Sequence, residues 1–112
     1  MTFSLVARCR ETGRFGVAIS SSSPAVAARC AYTRAGVGAV ASQNVTDPRL
    51  GPRTLDLMAQ GLSAQQAVDT VTAEAPHIAY RQILAIGRDG PPAIFSGPNS
   101  LGIWSDAAGS DV

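Results

Sequence analysis

The chain has 112 residues, of which 46% are hydrophobic and 15% charged, and its formal net charge is +1. This length suits one domain, and its scattered basic residues exclude the clustered positive surface of a nucleic-acid-binding protein. No apolar run approaches a membrane span of about 20 residues, and no basic flank of a signal peptide opens the chain. We therefore expect a cytoplasmic protein whose partners include neither nucleic acid nor a membrane.

The first half of the chain is predicted to be mostly β-structure. Residues 2–9 and 15–20 alternate between apolar and polar positions, and the turn-forming residues 11–14 separate them, so the two segments are expected to pair as a hairpin. Residues 25–35 fit a helix and a strand equally well, and both assignments stay open. Residues 37–43 are small and apolar until their end, which is typical of a strand buried on both faces.

Two helices and two further strands are predicted in the second half. The first helix spans 51–61, with proline at its first position, and the second begins at Ser63, where Gln66 three residues later completes a capping box. Strands are expected at 80–87 and 92–96. Strands, then helices, then strands again indicate an α+β or layered fold.

No cofactor and no metal site are predicted. Cys9 and Cys30 are the only cysteines, they lack histidine partners at a metal-binding spacing, and both are interpreted as buried, reduced, structural thiols. Residues 105–112 are polar and are expected to form a mobile tail.

Several segments resemble a family known only as domain of unknown function 1028, and they follow one another in the family's order and spacing. They are MTFSLVAR, TGRFGVAIS, RAGVGAVASQ, GPRTLDLMAQGLSAQQAV and YRQ, within residues 1 to 97. The resemblance implies a layered αββα sandwich of the Ntn-hydrolase type. Family members are usually about twice this long, which implies that residues 1–112 are the N-terminal half, or α subunit, of a single domain. A second chain or a C-terminal half would complete the fold.

An Ntn hydrolase attacks an amide with a Thr, Ser or Cys at a free chain start, and its own α-amine acts as the base. The resemblance therefore leaves two positions for the nucleophile. Self-cleavage after Val112 would place it on a partner subunit from the same precursor, in a heterodimer or a dimer of heterodimers. Removal of Met1 would instead expose Thr2, which is otherwise a β-branched residue that starts a strand.

Two polar segments at strand ends are candidates for substrate binding. Hydroxyls and amides of Ser21, Ser22 and Ser23 are suited to an oxyanion or a carboxylate, although a Ser-Pro turn explains them equally. Gln43 and Asn44 close a strand that is predicted to be buried, and they either face a pocket or cap the following turn.

The YRQ segment contributes two further candidates, Arg81 and Gln82. Arg81 is able to hold a substrate carboxylate through two parallel hydrogen bonds. The alternative is a structural ion pair with Asp47 or Asp56.

The expected function is hydrolysis of a carbon–nitrogen bond, other than a protein peptide bond, in a small amide, lactam or peptide-like molecule. This expectation depends on the resemblance, and a shared fold does not determine an activity. The alternative is a non-catalytic protein that binds small molecules or supports assembly.

Overall fold

The computed structural model describes residues 1–112 and contains two antiparallel sheets and three α-helices. Strands β1 (Thr2–Arg8) and β2 (Phe15–Ser21) form a hairpin. The second sheet contains four strands in chain order, namely β3 (Ala31–Arg34), β4 (Gly38–Asn44), β5 (Arg81–Gly87) and β6 (Ala93–Ser96). The helices are α1 (Ala27–Cys30), α2 (Leu50–Ala59) and α3 (Ala64–Glu74), and a 3₁₀ turn spans Ile78–Tyr80. The chain is thus a mixed α+β fold.

The four-stranded sheet is covered on both faces. Val40 and Ile83 point toward α2 and α3 and belong to the larger apolar core, whereas Ala39 and Ile86 point toward the hairpin and join Val6 in a smaller core. This division follows from the pleat, because neighbouring residues of a strand face opposite sides. Strand β4 is consequently buried along almost its whole length, as its composition predicts.

The hairpin presents one face to the sheet and the other to solvent. Val6 pairs with Val17 on the inner face, where Val6 is buried. On the outer face, Phe3 is 69% exposed and Leu5 is 44% exposed, and the small residue Ala18 lies opposite Leu5. The more apolar stripe of β1 therefore lies on the solvent side, while the inner stripe carries Thr2 and Ser4.

The predicted strands are confirmed to within one residue at each end, and the open segment 25–35 is divided between both alternatives. Its alanine-rich part forms the single helical turn α1. Its second part contains Tyr32 and Thr33, residue types that favour extended backbone, and it forms β3.

The two longer helices agree with their local signals, with one correction. Pro52 was expected at the first helical position but lies at the third, because α2 begins at Leu50. The first four amides of a helix have no partner inside it, so proline fits there as well. Helix α3 has the predicted capping box, in which the Ser63 hydroxyl accepts from the Gln66 amide at 3.1 Å and the Ser63 amide donates to Gln66 Oε1 at 2.9 Å.

The last eight residues contain no helix or strand. Asp111 connects them to β1, since its carboxylate lies 2.8 Å from Arg8 Nε and 2.6 Å from Arg10 Nε, and its carbonyl accepts from the Arg8 amide at 3.0 Å. The mobility expected for 105–112 stays a prediction. None of the helices combines the length and the apolar character that crossing a membrane requires.

Candidate functional site

The side chains between the hairpin and the four-stranded sheet change from apolar to polar along the strands. Near the hairpin turn they are apolar and include Val6, Val17 and Ile86. Toward the opposite end the inward positions are polar, and Gln43 Nε2 donates to Ser4 Oγ across the two sheets. Polar groups between packed sheets require partners or a ligand, so this end is the natural place for a site.

A cleft of about 260 Å³ opens at this polar end. Its volume is just below the usual range of about 300 to 1,000 Å³ for ligand pockets. Seven of its nine lining residues are polar, and the set is Thr2, Ser21, Ser23, Val26, Arg29, Cys30, Gln43, Asn44 and Thr46.

The Thr2 hydroxyl belongs to the first residue of β1 and is hydrogen-bonded to the neighbouring strand. Thr2 and Ser21 are directly opposite in the hairpin, and their hydroxyl oxygens are 2.8 Å apart. The Ser23 amide donates to the same Ser21 hydroxyl at 3.1 Å, which fixes that oxygen. The Met1 α-amine donates to Ser22 Oγ at 3.2 Å. The chain start is thus hydrogen-bonded to the end of β2.

One wall of the cleft contains an unusual backbone conformation. Asn44 has a φ of +70°, in the left-handed region, which asparagine adopts more often than most residues other than glycine. Its Oδ1 accepts from the Leu101 amide at 2.8 Å, and its Nδ2 lies 3.4 Å from Gln82 Oε1. These contacts hold the Asn44 side chain at the end of β4.

Arg81 lies on the face of β5 that the helices cover and does not line the cleft. Its Nη1 is 3.1 Å from Asp47 Oδ2, and the two side chains are only 9% and 7% exposed. Neither Nε nor Nη1 makes a well-aligned hydrogen bond, so the contact is mainly a charge pair. Asp56, the other acid considered, pairs with Arg34 at 2.9 Å instead.

Val112 also lies outside the cleft. The Asp111 carbonyl bonds to the amide of Arg8, six residues along β1 from Thr2, which corresponds to about 20 Å of strand. Val112 borders a separate apolar pocket of about 60 Å³ with Val6 and Leu84, and no residue lines both this pocket and the cleft.

Comparison with known proteins identifies the family. The sequence matches a family of unknown function, DUF1028, over residues 2–112. The chain belongs to the DUF1028 family. No curated protein matches it. The family resemblance seen in the sequence is therefore confirmed, whereas the Ntn-hydrolase character and the status of an N-terminal half stay predictions.

A crystal structure provides a DUF1028 relative of similar fold, protein SPO2555 from Silicibacter pomeroyi. It matches 98% of this chain with a TM-score of 0.93 and 29% sequence identity. This DUF1028 chain corresponds to 49% of that protein, and so spans about half its length.

The cleft brings together most of the residues singled out in the sequence. The cleft-lining members of that set are Thr2, Ser21, Ser23, Gln43 and Asn44. Ser22, Arg81 and Gln82 do not line it. Ser22 instead accepts a hydrogen bond from the Met1 α-amine, and Gln82 Oε1 contacts the side-chain amide of Asn44.

Four cleft residues of this DUF1028 protein were missed from the sequence. Val26, Arg29 and Cys30 belong to the segment whose structure stayed open, and Thr46 follows Asn44 in the loop after β4. Cys30 is buried, with its Sγ 3.6 Å from Thr46 Oγ1. The burial expected for both thiols is wrong for Cys9, which is exposed beside the hairpin turn. The available signal was Arg29, the only charged residue between Arg14 and Arg34.

Asp47 has the most strongly perturbed acid group of the chain. Its carboxylate accepts from Arg49 Nε at 2.9 Å and from Arg49 Nη2 at 2.7 Å, and these bonds, together with buried Arg81, hold its pKa well below the usual range. A pKa lowered by folding stabilises the protein above the unfolded value of about 3.9, and this contribution is lost as the pH falls through the folded value.

Replacing Arg49 with glutamine is expected to make the DUF1028 chain more sensitive to acid. The variant loses the strongest hydrogen bonds to Asp47, so the Asp47 pKa rises toward its unfolded value and acid unfolding begins at a higher pH. An acid titration followed by circular dichroism measures this shift. Arg53→Gln is the control, since Arg53 pairs with Glu74 at the surface. Equal acid midpoints for the two variants would contradict the assignment.

Proposed function

We propose that this DUF1028 chain carries the active site of an amide hydrolase of the Ntn type, with Thr2 as its nucleophile. The observation that supports the proposal is the position of the Thr2 hydroxyl, which lines the polar cleft and lies 2.8 Å from the Ser21 hydroxyl. Thr2 is also the first residue of β1 and lies on the face of the hairpin that packs on the four-stranded sheet, at the chain start that an N-terminal nucleophile needs.

The chemistry requires that Met1 is removed, so that Thr2 has a free α-amine. Its pKa near 8 suits a base at neutral pH. The amine takes the proton of Thr2 Oγ1 as this oxygen attacks the amide carbon. The proton then passes to the leaving nitrogen, the C–N bond breaks, and an ester on Thr2 remains. Water hydrolyses the ester, which releases the acid and restores the hydroxyl.

Neighbouring groups of the cleft have defined roles in this scheme. The hydroxyl of Ser21 positions Thr2 Oγ1, since the Ser23 amide holds it in place. The side-chain amide of Asn44 and the hydroxyl of Thr46 line the same space and provide polar contacts for the substrate. Gln43 connects the two sheets through Ser4 and maintains the width of the cleft.

The geometry favours Thr2 over a nucleophile that follows Val112. Self-cleavage there would create the new chain start beside Arg8 and Val6, whereas the polar residues cluster around Thr2. The partner-subunit scheme would need the new chain start to move across the hairpin. The Thr2 hydroxyl, by contrast, already lines the cleft.

The proposal includes an αββα architecture for the longer protein. Its remaining half, as a C-terminal region or a separate subunit, would cover the outer face of the hairpin as the fourth layer. Phe3 and Leu5 support this, because they are large apolar side chains exposed on one side of a two-stranded sheet.

The experiment that tests the function is covalent labelling of the full-length protein with a β-lactone. The Thr2 hydroxyl is expected to open the lactone and retain it as an ester, and intact mass with peptide mapping locates the added mass on Thr2. N-terminal sequencing of the same sample establishes whether Met1 is absent. Thr2→Ser is expected to be labelled and Thr2→Ala is not.

Two results would contradict the proposal. Labelling of a second polypeptide would assign the nucleophile to a partner subunit. A protein that lacks Met1 but shows neither labelling nor turnover of amides would support the non-catalytic alternative, a small-molecule-binding or assembly protein.

A further inference from the structure

We infer that the cleft recognises a carboxylate through Arg29, so that the substrate is a small amide with a carboxylate close to the scissile bond. This inference rests on the proposed function, because it specifies the substrate of the same cleft.

The first argument is the charge of the cleft. Arg29 is the only charged residue among the nine that line it, and no aspartate or glutamate is present there. The cleft therefore has a net positive charge, and Arg29, which is exposed to solvent, is the one cation among lining residues that are otherwise neutral. An anionic ligand fits this arrangement, whereas a cationic ligand would meet no acid group.

The second argument is the absence of an internal partner for Arg29. The protein has nine arginines and no lysine, and seven of these arginines form ion pairs with aspartate or glutamate. Only Arg14 and Arg29 do not. Arg14 lies in the hairpin turn, whereas Arg29 borders a polar cleft, so its guanidinium is available to a ligand.

The third argument is the way the backbone of Arg29 is held. The Tyr32 hydroxyl donates to the Arg29 carbonyl at 2.9 Å, and the Arg29 amide donates to the Val26 carbonyl at 3.2 Å. The loop that leads into this turn is strained, since Ala25 has a φ of +51°. A turn as short as α1 is not stable alone, so these contacts keep Arg29 at the cleft.

A guanidinium and a carboxylate match in shape as well as in charge. The two parallel N–H groups of arginine bind both oxygens of a carboxylate, which sets the orientation of the ligand. Thr2 and Arg29 line one cleft of only about 260 Å³. A small cleft with both residues in its lining favours a ligand in which a short spacer separates the carboxylate from the scissile amide, as in an N-acylated amino acid.

The test compares acids with their methyl esters on the full-length protein. A panel of N-acetyl amino acids and the corresponding methyl esters has the same amide, while the ester lacks the negative charge. We expect kcat/KM to be higher for the acids. Arg29→Gln is expected to reduce kcat/KM for the acids by about 10- to 100-fold, the typical value of a charged hydrogen-bonded pair, with little effect on the esters. Arg29→Lys is expected to retain part of the preference.

Arg14→Gln is the matched control, because it removes the other unpaired arginine at a distance from the cleft, and it is expected to leave both rates unchanged. An equal loss for acids and esters in Arg29→Gln would indicate a structural role and overturn the inference. Hydrolysis of amides with no preference for acids would overturn it as well, while leaving the proposed function intact.

A binding measurement separates the two proposals. Calorimetric titration of the same N-acetyl amino acids into Thr2→Ala requires no catalysis. Binding that is lost in the Thr2→Ala/Arg29→Gln double variant would support carboxylate recognition even if Thr2 were not the nucleophile. Binding of acids and esters with equal affinity, or no binding of either, would overturn the inference.

Discussion

Replacing Thr2 with alanine is expected to lower kcat for amide hydrolysis by at least about 10³-fold, since removal of a nucleophile that acts with its base eliminates most of the catalysis. The methyl group of alanine cannot attack a carbonyl, although the α-amine and the cleft remain. Thr2→Ser retains a hydroxyl at the same position and is expected to keep measurable turnover. Steady-state kinetics on the best amide of the substrate panel would measure both.

Two controls make the Thr2 result specific. Ser20→Ala removes a neighbouring hydroxyl from the exposed outer face of the hairpin and is expected to keep the wild-type rate. Thermal unfolding checks the fold of Thr2→Ala, which is expected to change the free energy of unfolding by no more than about 1 kcal/mol because Thr2 is only partly buried. Wild-type turnover in Thr2→Ala would contradict the role of Thr2 and assign the nucleophile to a partner subunit.

Replacing Asp47 with asparagine is expected to lower the free energy of unfolding by about 3 kcal/mol. Asparagine keeps the shape of the side chain but removes its charge, and Arg81 is then a buried cation without a counterion. The Nε and Nη1 atoms of Arg81 have no hydrogen-bond partner that would compensate for the lost charge of Asp47. Urea denaturation monitored by tryptophan fluorescence and circular dichroism would measure the loss.

Asp56→Asn is the matched control for Asp47→Asn. It removes the same charge from an ion pair with Arg34, in which the two side chains are 52% and 40% exposed, so the expected change is within about 0.5 kcal/mol. If the Asp47 and Asp56 variants lost equal stability, the pair of Asp47 with Arg81 would not be the stabilising contact that its burial implies.

Five of the six strands were predictable because their signals are local, whereas the segment that contains β3 was left open. Alternation in residues 2–8 and 15–21, and the small apolar residues of β4, determine extended structure before any contact is considered. The capping box at Ser63 is local in the same sense, since its two hydrogen bonds connect residues three apart. Helix α1 lacks such a signal. It has a single turn, which only the surrounding structure stabilises.

The cleft was predictable residue by residue but not as a whole. Ser21 and Gln43 stood out because each is a polar residue at the end of a largely apolar strand. Their approach depends on how the hairpin packs on the sheet, which no local pattern specifies. The choice of Asp47 rather than Asp56 as the partner of Arg81 depends on the same packing. Arg29 was overlooked because the fold of its segment was undecided.

Met1 is present in this structure, where its α-amine bonds to Ser22, and its presence has a practical consequence for anyone who produces the protein. In the proposed mechanism the base is the nitrogen of Thr2, and a peptide bond to Met1 abolishes its basicity. In that scheme Met1 blocks the base, and activity requires the Thr2 amine to be freed. An affinity tag fused ahead of Thr2 would block the same nitrogen, so an inactive preparation of that kind would not test the proposed mechanism.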